Sequence, residues 1–367
     1  MTFIDHLDQI EDTRKDINKS YELTDIIFLT MAAVLSGASG WKDINVFGNA
    51  KIDWLRQTRP FAEGIPTRHS IGRIIRTISA EVLMECFAMW INQQREHNGK
   101  EHVAFDGKTV RGSGHNRHVD AVHLMGAMVV DSGVMLYQTT SEGKKNEIKT
   151  LQSMLETLPV KGKIISADAM HCQTETAALA QRKGADYMLQ VKDNQKNLKE
   201  NMAAYFHKTR RDEPEHIKDN QFTELDGEHG RIVQRQYTVL AVNAWIAGIE
   251  NWEGAKHIVE VVRTHQQEGQ PDKAQTTYYL TSMGNNVQEI AKIIRGHWQI
   301  ESYHWVLDVT FREDESLIYA EDGAKNMALF KRMLINLLKA HPLKDSIAGK
   351  RHRSAWDDDF RTQVLFG

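Results

Sequence analysis

The sequence predicts a mixed α/β protein of the α+β kind, in which a helical N-terminal region precedes a domain built around a sheet. Apolar residues recur at helical spacing through the first hundred positions. From residue 101 onward the pattern changes to short apolar runs of strand length, separated by turns such as Asp131-Ser132-Gly133. Helical and strand-like runs then alternate, which is typical of a sheet covered by helices.

The N-terminal helical region is predicted to span residues 1–98. Its three predicted helices cover residues 21–36, 44–56 and 70–91. Pro60, Gly64 and Pro66 mark the loop before the third helix. Residues 66–76 concentrate positive charge at the start of that helix, so the helix either lies on DNA or presents a solvated basic face.

The domain that follows is predicted over residues 99–345. Its strands are predicted at residues 103–106, 122–130, 134–140, 163–168 and 187–192, with helices at 146–158 and 174–183. Three sequential antiparallel strands followed by helix, strand, helix and strand is the order of the ribonuclease-H-like fold. The sequence therefore predicts a ribonuclease-H-like domain.

A β-rich insertion is predicted within this domain, over about residues 222–284. It is entered through a turn at His229-Gly230-Arg231. Helices are predicted again at residues 287–307 and 323–340, and a polar C-terminal tail at 346–367 is expected to cap the fold.

The composition indicates a soluble multidomain protein of 367 residues, with 41% hydrophobic and 26% charged residues. No apolar run is long enough for a membrane span and no secretory leader is recognised, so the expected location is the cytoplasm. Cys86 and Cys172 are too few for a disulfide framework. The net charge of −3 argues against indiscriminate coating of DNA.

Two aspartates carry the predicted chemistry, because Asp106 and Asp168 each end a predicted strand. The first and fourth strands are neighbours in this strand order, which places the two carboxylates side by side. Close carboxylates repel each other unless a cation holds them, and oxygen donors favour Mg²⁺ or Mn²⁺. A third acid from a late helix would complete a site for two metal ions. Taken singly, each aspartate could instead be a helix cap or turn former.

Four motifs extend this interpretation. They are residues 105–113 (FDGKTVRGS), 165–171 (ISADAMH) with Gln173, 187–195 (YMLQVKDNQ), and 297–301 (HWQIE) with 304–309 (HWVLDV). Together they resemble the motifs of the Asp-Asp-Glu insertion-sequence transposases, and in particular of the H-repeat-associated proteins. The resemblance covers nearly the whole chain and implies Asp106, Asp168 and Glu301 as catalytic residues and ligands of two Mg²⁺ or Mn²⁺ ions.

The sequence departs from the wider group around the glutamate. That group has Tyr, Arg and Lys at positions where this chain has Ile294, His297 and Asp308. Arg295 is close enough to substitute for the missing arginine. The acids that compete with Glu301 as third ligand are Asp308, Glu313 and Asp314.

Five side chains are candidates for contact with DNA phosphates: Lys108, Arg111, Lys192, Arg295 and His297. A solvent-exposed role is the alternative for Lys108, Arg111 and Lys192, and a half-buried structural role for His297. Trp298 and Trp305 lie seven residues apart on one helix face, a spacing that favours the core over a platform for stacked bases.

The resemblance implies a DNA transposase that hydrolyses DNA at the element's ends and then transfers the 3′-hydroxyls into target DNA. Two ends must be held together, so a homodimer on DNA is expected, with neither a membrane nor a small-molecule substrate. The first alternative is a transposase-derived DNA-binding relic that no longer transposes, and the second is a phosphatase with Asp106 as nucleophile. The phosphatase chemistry requires an acid two residues further on, where this chain has Lys108.

Overall fold

A computed structural model describes residues 3–95, 100–114, 120–143, 146–228, 231–267, 270–320 and 322–366. Within these residues the backbone of one mixed sheet has nine strands in the order β3-β2-β1-β4-β5-β9-β8-β7-β6. The strands are β1 His102–Thr109, β2 His123–Val129, β3 Val134–Ser141, β4 Ile164–Ala167, β5 Asp186–Val191, β6 Gln221–Glu228, β7 Arg231–Ala241, β8 His257–Gln267 and β9 Gln270–Thr281.

The first five strands confirm the predicted ribonuclease-H-like order. β1, β2 and β3 are antiparallel neighbours, and β4 and β5 add to β1 in parallel. The register pairs Phe105 with Ala167, so the next residues, Asp106 and Asp168, stand side by side where β4 ends.

The β-rich segment continues the same sheet. β9 pairs antiparallel with β5, where Val191 is opposite Tyr278, and β8, β7 and β6 follow outward. Its four strands, β6 to β9, cover most of the β-rich insertion predicted at about 222–284. Of the turn that joins β6 to β7, His229 and Gly230 lie outside the described residues.

The N-terminal helices are α1 Phe3–Leu7, α2 Leu23–Leu35, α3 Trp41–Ala50, α4 Ile52–Leu55, α5 Arg68–Arg76 and α6 Ala80–Gln94. The predicted helix at 70–91 is divided into α5 and α6, because Ser79 caps α6 by accepting a hydrogen bond from the Val82 amide. Every residue of α2 is buried, which accounts for its apolar run.

The remaining helices are α7 Glu147–Thr157, α8 Thr174–Arg182, α9 Lys196–Asp212, α10 Pro214–Asp219, α11 Val287–His297, α12 Gln299–Val309, α13 Gly323–Ala340, α14 Ile347–Trp356 and α15 Asp358–Phe366. The predicted helix at 287–307 is interrupted at Trp298, between α11 and α12. No helix among the described residues is long and apolar enough to cross a membrane.

The two faces of the sheet have separate cores because neighbouring strand residues point to opposite faces. Val103 and Phe105 pack with α7, α8 and α9 on one face. Ala104 belongs to the other core, which contains α12, α13 and the N-terminal helices. Asp106 alternates with Phe105, which places its side chain on the face covered by α12.

The C-terminal segment forms α14 and α15, which pack against the N-terminal helices. Phe360, Val364 and Leu365 are buried in the same core as α2. Trp54 Nε1 donates to Thr362 Oγ1 at 3.1 Å, and Lys51 forms an ion pair with Asp358. One continuous core therefore joins the N-terminal helices to the sheet and to the C-terminal helices.

Candidate active site

Three predicted site acids lie on the face of the sheet covered by α11 and α12. Asp106 is half-buried in β1, and its Oδ1 accepts a hydrogen bond from the Gly107 amide at 2.8 Å. Asp168 follows β4 directly. Glu301 lies in the first turn of α12, and α12 packs against β1.

A chain of polar side chains leads from the sheet to Asp168. Ser166 Oγ lies 2.7 Å from His102 Nε2 and 2.8 Å from His297 Nδ1. The other ring nitrogen of His297 lies 3.6 Å from Asp168 Oδ1. Burial and the nearby charge of His297 lower the pKa of His102 to about 3, so His102 is neutral at physiological pH. Ser166 thus orients His297 toward Asp168.

His304 was not assigned a role from the sequence, although it lies one turn after Glu301 on α12. Its Nδ1 is 3.3 Å from Asp106 Oδ2. The two aspartates therefore each have a histidine neighbour, His297 for Asp168 and His304 for Asp106. The neighbouring His297 lowers the pKa of Asp168.

The charges of the other two acids act on the carboxyl group of Glu301. Partial burial raises the pKa of Glu301, and the negative charges of Asp106 and Asp168 raise it further. The three acids suit a hard divalent cation, because they supply carboxylate oxygens and a concentrated negative charge. Among the described residues, no three His, Cys, Asp or Glu side chains are drawn together closely enough to hold a metal as they stand.

The acids that compete with Glu301 are each engaged by a cation. Asp308 Oδ1 lies 2.6 Å from Lys108 Nζ. Glu313 is buried and forms an ion pair with buried Arg332 at 2.7 Å. Asp314 contacts Lys108 at 3.3 Å. Glu301, in contrast, forms no ion pair with a described lysine or arginine, which leaves its carboxylate available.

Two candidate phosphate contacts follow Asp106 on the chain and occupy different environments. Lys108 is buried, with its ammonium among Asp308, Glu313 and Asp314. Arg111 has a side chain that is 83% exposed, with Nε 3.4 Å from Asp314 Oδ2. In this structure Lys108 connects β1 to the turn at Glu313–Glu315, whereas Arg111 faces solvent.

Lys192 and Arg295 line an open cleft of about 540 Å³ between α11, α12 and the β-rich strands. Two cations that the sequence analysis missed, Arg235 and Arg263, line it as well. Tyr279, also in the lining, has its pKa raised to about 12 by burial and by the charge of Asp168. The cleft therefore begins beside the acids and extends over the β-rich strands.

The arginines of this cleft outnumber their acidic partners. Arg235 and Arg263 are direct register partners on β7 and β8, and like charges in that position destabilise a sheet. Asp226 Oδ2 is shared by Arg235 at 3.4 Å and Arg295 at 3.2 Å. Arg263 forms no ion pair with any of the described residues, so the cleft has excess positive charge.

The prediction that Trp298 and Trp305 belong to the core is wrong. Their exposed fractions are 43% and 60%. α12 buries the stripe formed by Ile300, Tyr303 and Leu307, and both tryptophans fall outside that stripe. Trp298 instead lines the cleft that contains Arg235, Arg263 and Arg295, which we call the arginine cleft.

A second basic groove, of about 660 Å³, lies in the N-terminal region between the start of α3 and the helix α5. Arg68, His69 and Arg73 are exposed along it, while Ile71, Ile74 and Ile75 face the core. No acidic residue lines this groove among the described residues. The geometry is compatible with both interpretations of residues 66–76.

Cys172, which follows His171, is buried in surroundings that disfavour a nucleophilic thiolate. Burial raises the pKa of Cys172 to about 12, so its sulfur stays a thiol at physiological pH. Cys172 and Cys86 are both free and buried.

Comparison with known sequence families gives two matches that together span most of the chain. Residues 97–337 match the family described as "Transposase DDE domain". Residues 4–91 match the family described as "DDE_Tnp_1-associated".

Individual relatives are similar over nearly their full length. The "H repeat-associated putative transposase YhhI" of Escherichia coli K12 is 32% identical over 372 residues, covering 99% of this chain and 97% of the relative. The "Putative transposase YncI" of Escherichia coli O157:H7 is 32% identical over 370 residues, covering 99% and 94%. A solved piggyBac transposase synaptic complex with hairpin DNA has a TM-score of 0.43 at 10% identity, covering 98% of this chain and 77% of that one.

Proposed function

Because this chain belongs to the Transposase DDE domain family, we propose that it is a DNA transposase that cleaves DNA at the ends of its element and joins them to target DNA. The observation that carries the proposal is the placement of Asp106 and Asp168 side by side, facing the helix that contains Glu301. The same acids serve both steps, since each step is a phosphoryl transfer at DNA.

Asp106, Asp168 and Glu301 are the residues that would hold Mg²⁺ or Mn²⁺, as two ions. Bound by these residues, a divalent metal would supply activation of a water or 3′-hydroxyl and stabilisation of the leaving oxygen. His304 and His297 orient the carboxylates of Asp106 and Asp168 by their contacts at 3.3 and 3.6 Å. The cation-held acids Asp308, Glu313 and Asp314 stay outside the ligand set.

The DNA backbone follows the arginine cleft. Lys192 and Arg295 contact phosphates beside the acids, and Arg235 and Arg263 extend that contact over the β-rich strands. A phosphate between Arg235 and Arg263 would relieve the repulsion of this cross-strand pair. Arg111 and His297 add contacts close to Asp106 and Asp168, and Lys108 contacts phosphate only if it leaves its three carboxylates.

The basic groove between the start of α3 and the helix α5 is a second surface for contact with DNA, away from the acids. Its exposed Arg68, His69 and Arg73 are suited to the duplex outside the cleavage site. Two copies of the chain then hold the two element ends as a homodimer on DNA in the bacterial cytoplasm.

Cleavage of a labelled duplex carrying the element's flanking DNA tests this function, with wild type and Asp168→Asn compared in Mg²⁺ or Mn²⁺. We expect end-specific nicking that requires the metal and disappears in the variant. Binding of the ends without cleavage of any kind would favour the DNA-binding relic. A wild-type protein that neither binds nor cuts would contradict the proposal.

A further inference from the structure

A cluster of buried ionisable side chains lies beneath the two aspartates and has no part in the chemistry described above. Glu147 is the first residue of α7, and its Oε1 lies 2.6 Å from His123 Nε2 on β2. Its Oε2 lies 3.7 Å from His171 Nε2. All three side chains are buried. We call them the Glu147 cluster.

The cluster touches the backbone next to Asp106. A methyl group on Gly107 would lie 2.9 Å from both Glu147 Oε2 and His123 Nε2, so the glycine backbone rests directly on the pair. The Gly107 amide in turn donates to Asp106 Oδ1 at 2.8 Å. On its other side, His123 Nδ1 lies 2.8 Å from the hydroxyl of Thr109, two residues further along β1.

The cluster also reaches the segment that carries Asp168. His171 ends the short helical turn Ala169–His171, and its amide donates to the Asp168 carbonyl at 2.9 Å. Glu147 is thus the shared neighbour of two backbone segments, each attached to one of the aspartates. α7 itself is fixed in the core by Leu151, Met154 and Leu155.

Stability alone does not account for this arrangement. Neither ring nitrogen of His171 has a hydrogen-bond partner among the described residues, and buried polar groups without partners cost free energy. A buried ion pair is on average no more stabilising than apolar residues of the same volume. An apolar cluster would fill the space as well, but it would not fix the two segments at defined polar contacts.

We propose that Glu147, with His123 and His171, is a positioning residue that sets the separation of Asp106 and Asp168 for a divalent cation. The proposal rests on the proposed function of these two acids. Glu147 contacts neither DNA nor the metal, and it acts through Gly107, Thr109 and the Ala169–His171 turn.

Binding of Mn²⁺, followed by electron paramagnetic resonance, tests this without any need for cleavage. Glu147→Gln should weaken Mn²⁺ binding about tenfold, the lower bound for loss of an outer partner of a metal site. Leu155→Ala is the matched control, since it disturbs the packing of the same helix two turns away but keeps the contacts of Glu147, and it should weaken Mn²⁺ binding much less than Glu147→Gln does.

A second pair of variants keeps the test decisive if Glu147→Gln does not fold. Thr109→Val removes the hydroxyl that contacts His123 and should weaken Mn²⁺ binding, while Thr109→Ser should restore it. The concentration of Mg²⁺ for half-maximal cleavage should follow the same order, with the maximal rate changed less.

Two outcomes separate the failure of this inference from failure of the function. If wild type binds Mn²⁺ and Glu147→Gln or Thr109→Val binds as tightly as Leu155→Ala, the cluster is only structural. If wild type does not bind Mn²⁺ at all, the assignment of the acids is wrong and the positioning role is overturned with it.

Discussion

At the scale of single residues, Asp106, Asp168 and Glu301 repel one another, and Glu301 forms no ion pair with a described lysine or arginine. Asp106, Asp168 and Glu301 interact closely enough that the two aspartates raise the pKa of Glu301. A protein that concentrates negative charge in this way gives up stability when no cation is bound. Loss of the Glu301 carboxylate should therefore stabilise the metal-free fold and abolish the activity.

Glu301→Gln should reduce cleavage by more than the roughly 100-fold that loss of an outer partner of a metal site can cost. Asp308→Asn is the matched control on the same helix, because Asp308 is held by Lys108 at 2.6 Å. It should keep metal-dependent nicking. Rates measured on the labelled duplex would contradict the assignment of Glu301 if the two variants lost activity in the reverse order.

Glu301→Gln should also change how the thermal stability of the protein depends on pH. A carboxyl whose folded-state pKa is raised stabilises the fold below its unfolded-state pKa, and this contribution is lost as the pH rises through the folded-state pKa. Without metal, Glu301→Gln should therefore melt at a higher temperature than wild type at neutral pH, and the difference should shrink on acidification. Thermal unfolding in chelator at two pH values measures this, and a lower melting temperature for the variant at neutral pH would contradict it.

At the scale of elements, the four outer strands β6 to β9 extend the ribonuclease-H-like sheet beyond β5. β9 joins β5 directly, so β7 and β8 present Arg235 and Arg263 on the face that also holds the acids. α11 and α12 form the opposite wall with Arg295 and Trp298. The junction between the two helices at Trp298 places the cleft beside Glu301.

Arg263→Gln should weaken binding of the element's end DNA and reduce the slope of log affinity against log salt by about one for the lost phosphate contact. Arg211→Gln is the matched control, as Arg211 is an exposed arginine whose ion-pair partner among the described residues is the neighbouring Asp212. Fluorescence anisotropy across a salt series, in the Asp168→Asn background, separates binding from cleavage. Equal slopes for the two arginine variants would remove Arg263 from the DNA path.

At the scale of the whole molecule, the two ends of the chain complete one core. α15 buries Phe360 beside α2, and Arg361 lies 4.0 Å from the ring centre of Trp54. The N-terminal helices, the sheet and the C-terminal helices should consequently unfold together rather than as separate units.

Phe360→Ala should destabilise the whole protein by about 3 kcal/mol, through lost burial and the cavity left behind. Trp356→Ala, on the preceding helix, should change stability by less than about 0.5 kcal/mol because that side chain is 81% exposed. Chemical denaturation followed by fluorescence and by circular dichroism measures both. Two separate transitions in Phe360→Ala would show that the C-terminal helices are a detachable unit.

The sequence by itself determined the class of fold, the order of the first five strands and the family, and the structure and the comparisons confirm all three. It could do so because hydrophobic periodicity and short motifs are local properties of a sequence. Asp106 and Asp168, for example, each end a short apolar run that predicts a strand. The catalytic role of Asp106, Asp168 and Glu301 stays a prediction, as does the division into domains.

Only the tertiary structure decided which residues meet across long stretches of chain. It paired Arg235 with Arg263 and brought His304 to Asp106 and His297 to Asp168. It also surrounded Lys108 with acids that lie 200 or more positions away in sequence. It also turned Trp298 and Trp305 outward, since the buried stripe of α12 depends on what packs against it. Such contacts depend on strand register and helix packing, which are set by partners distant in sequence and leave no local pattern to read.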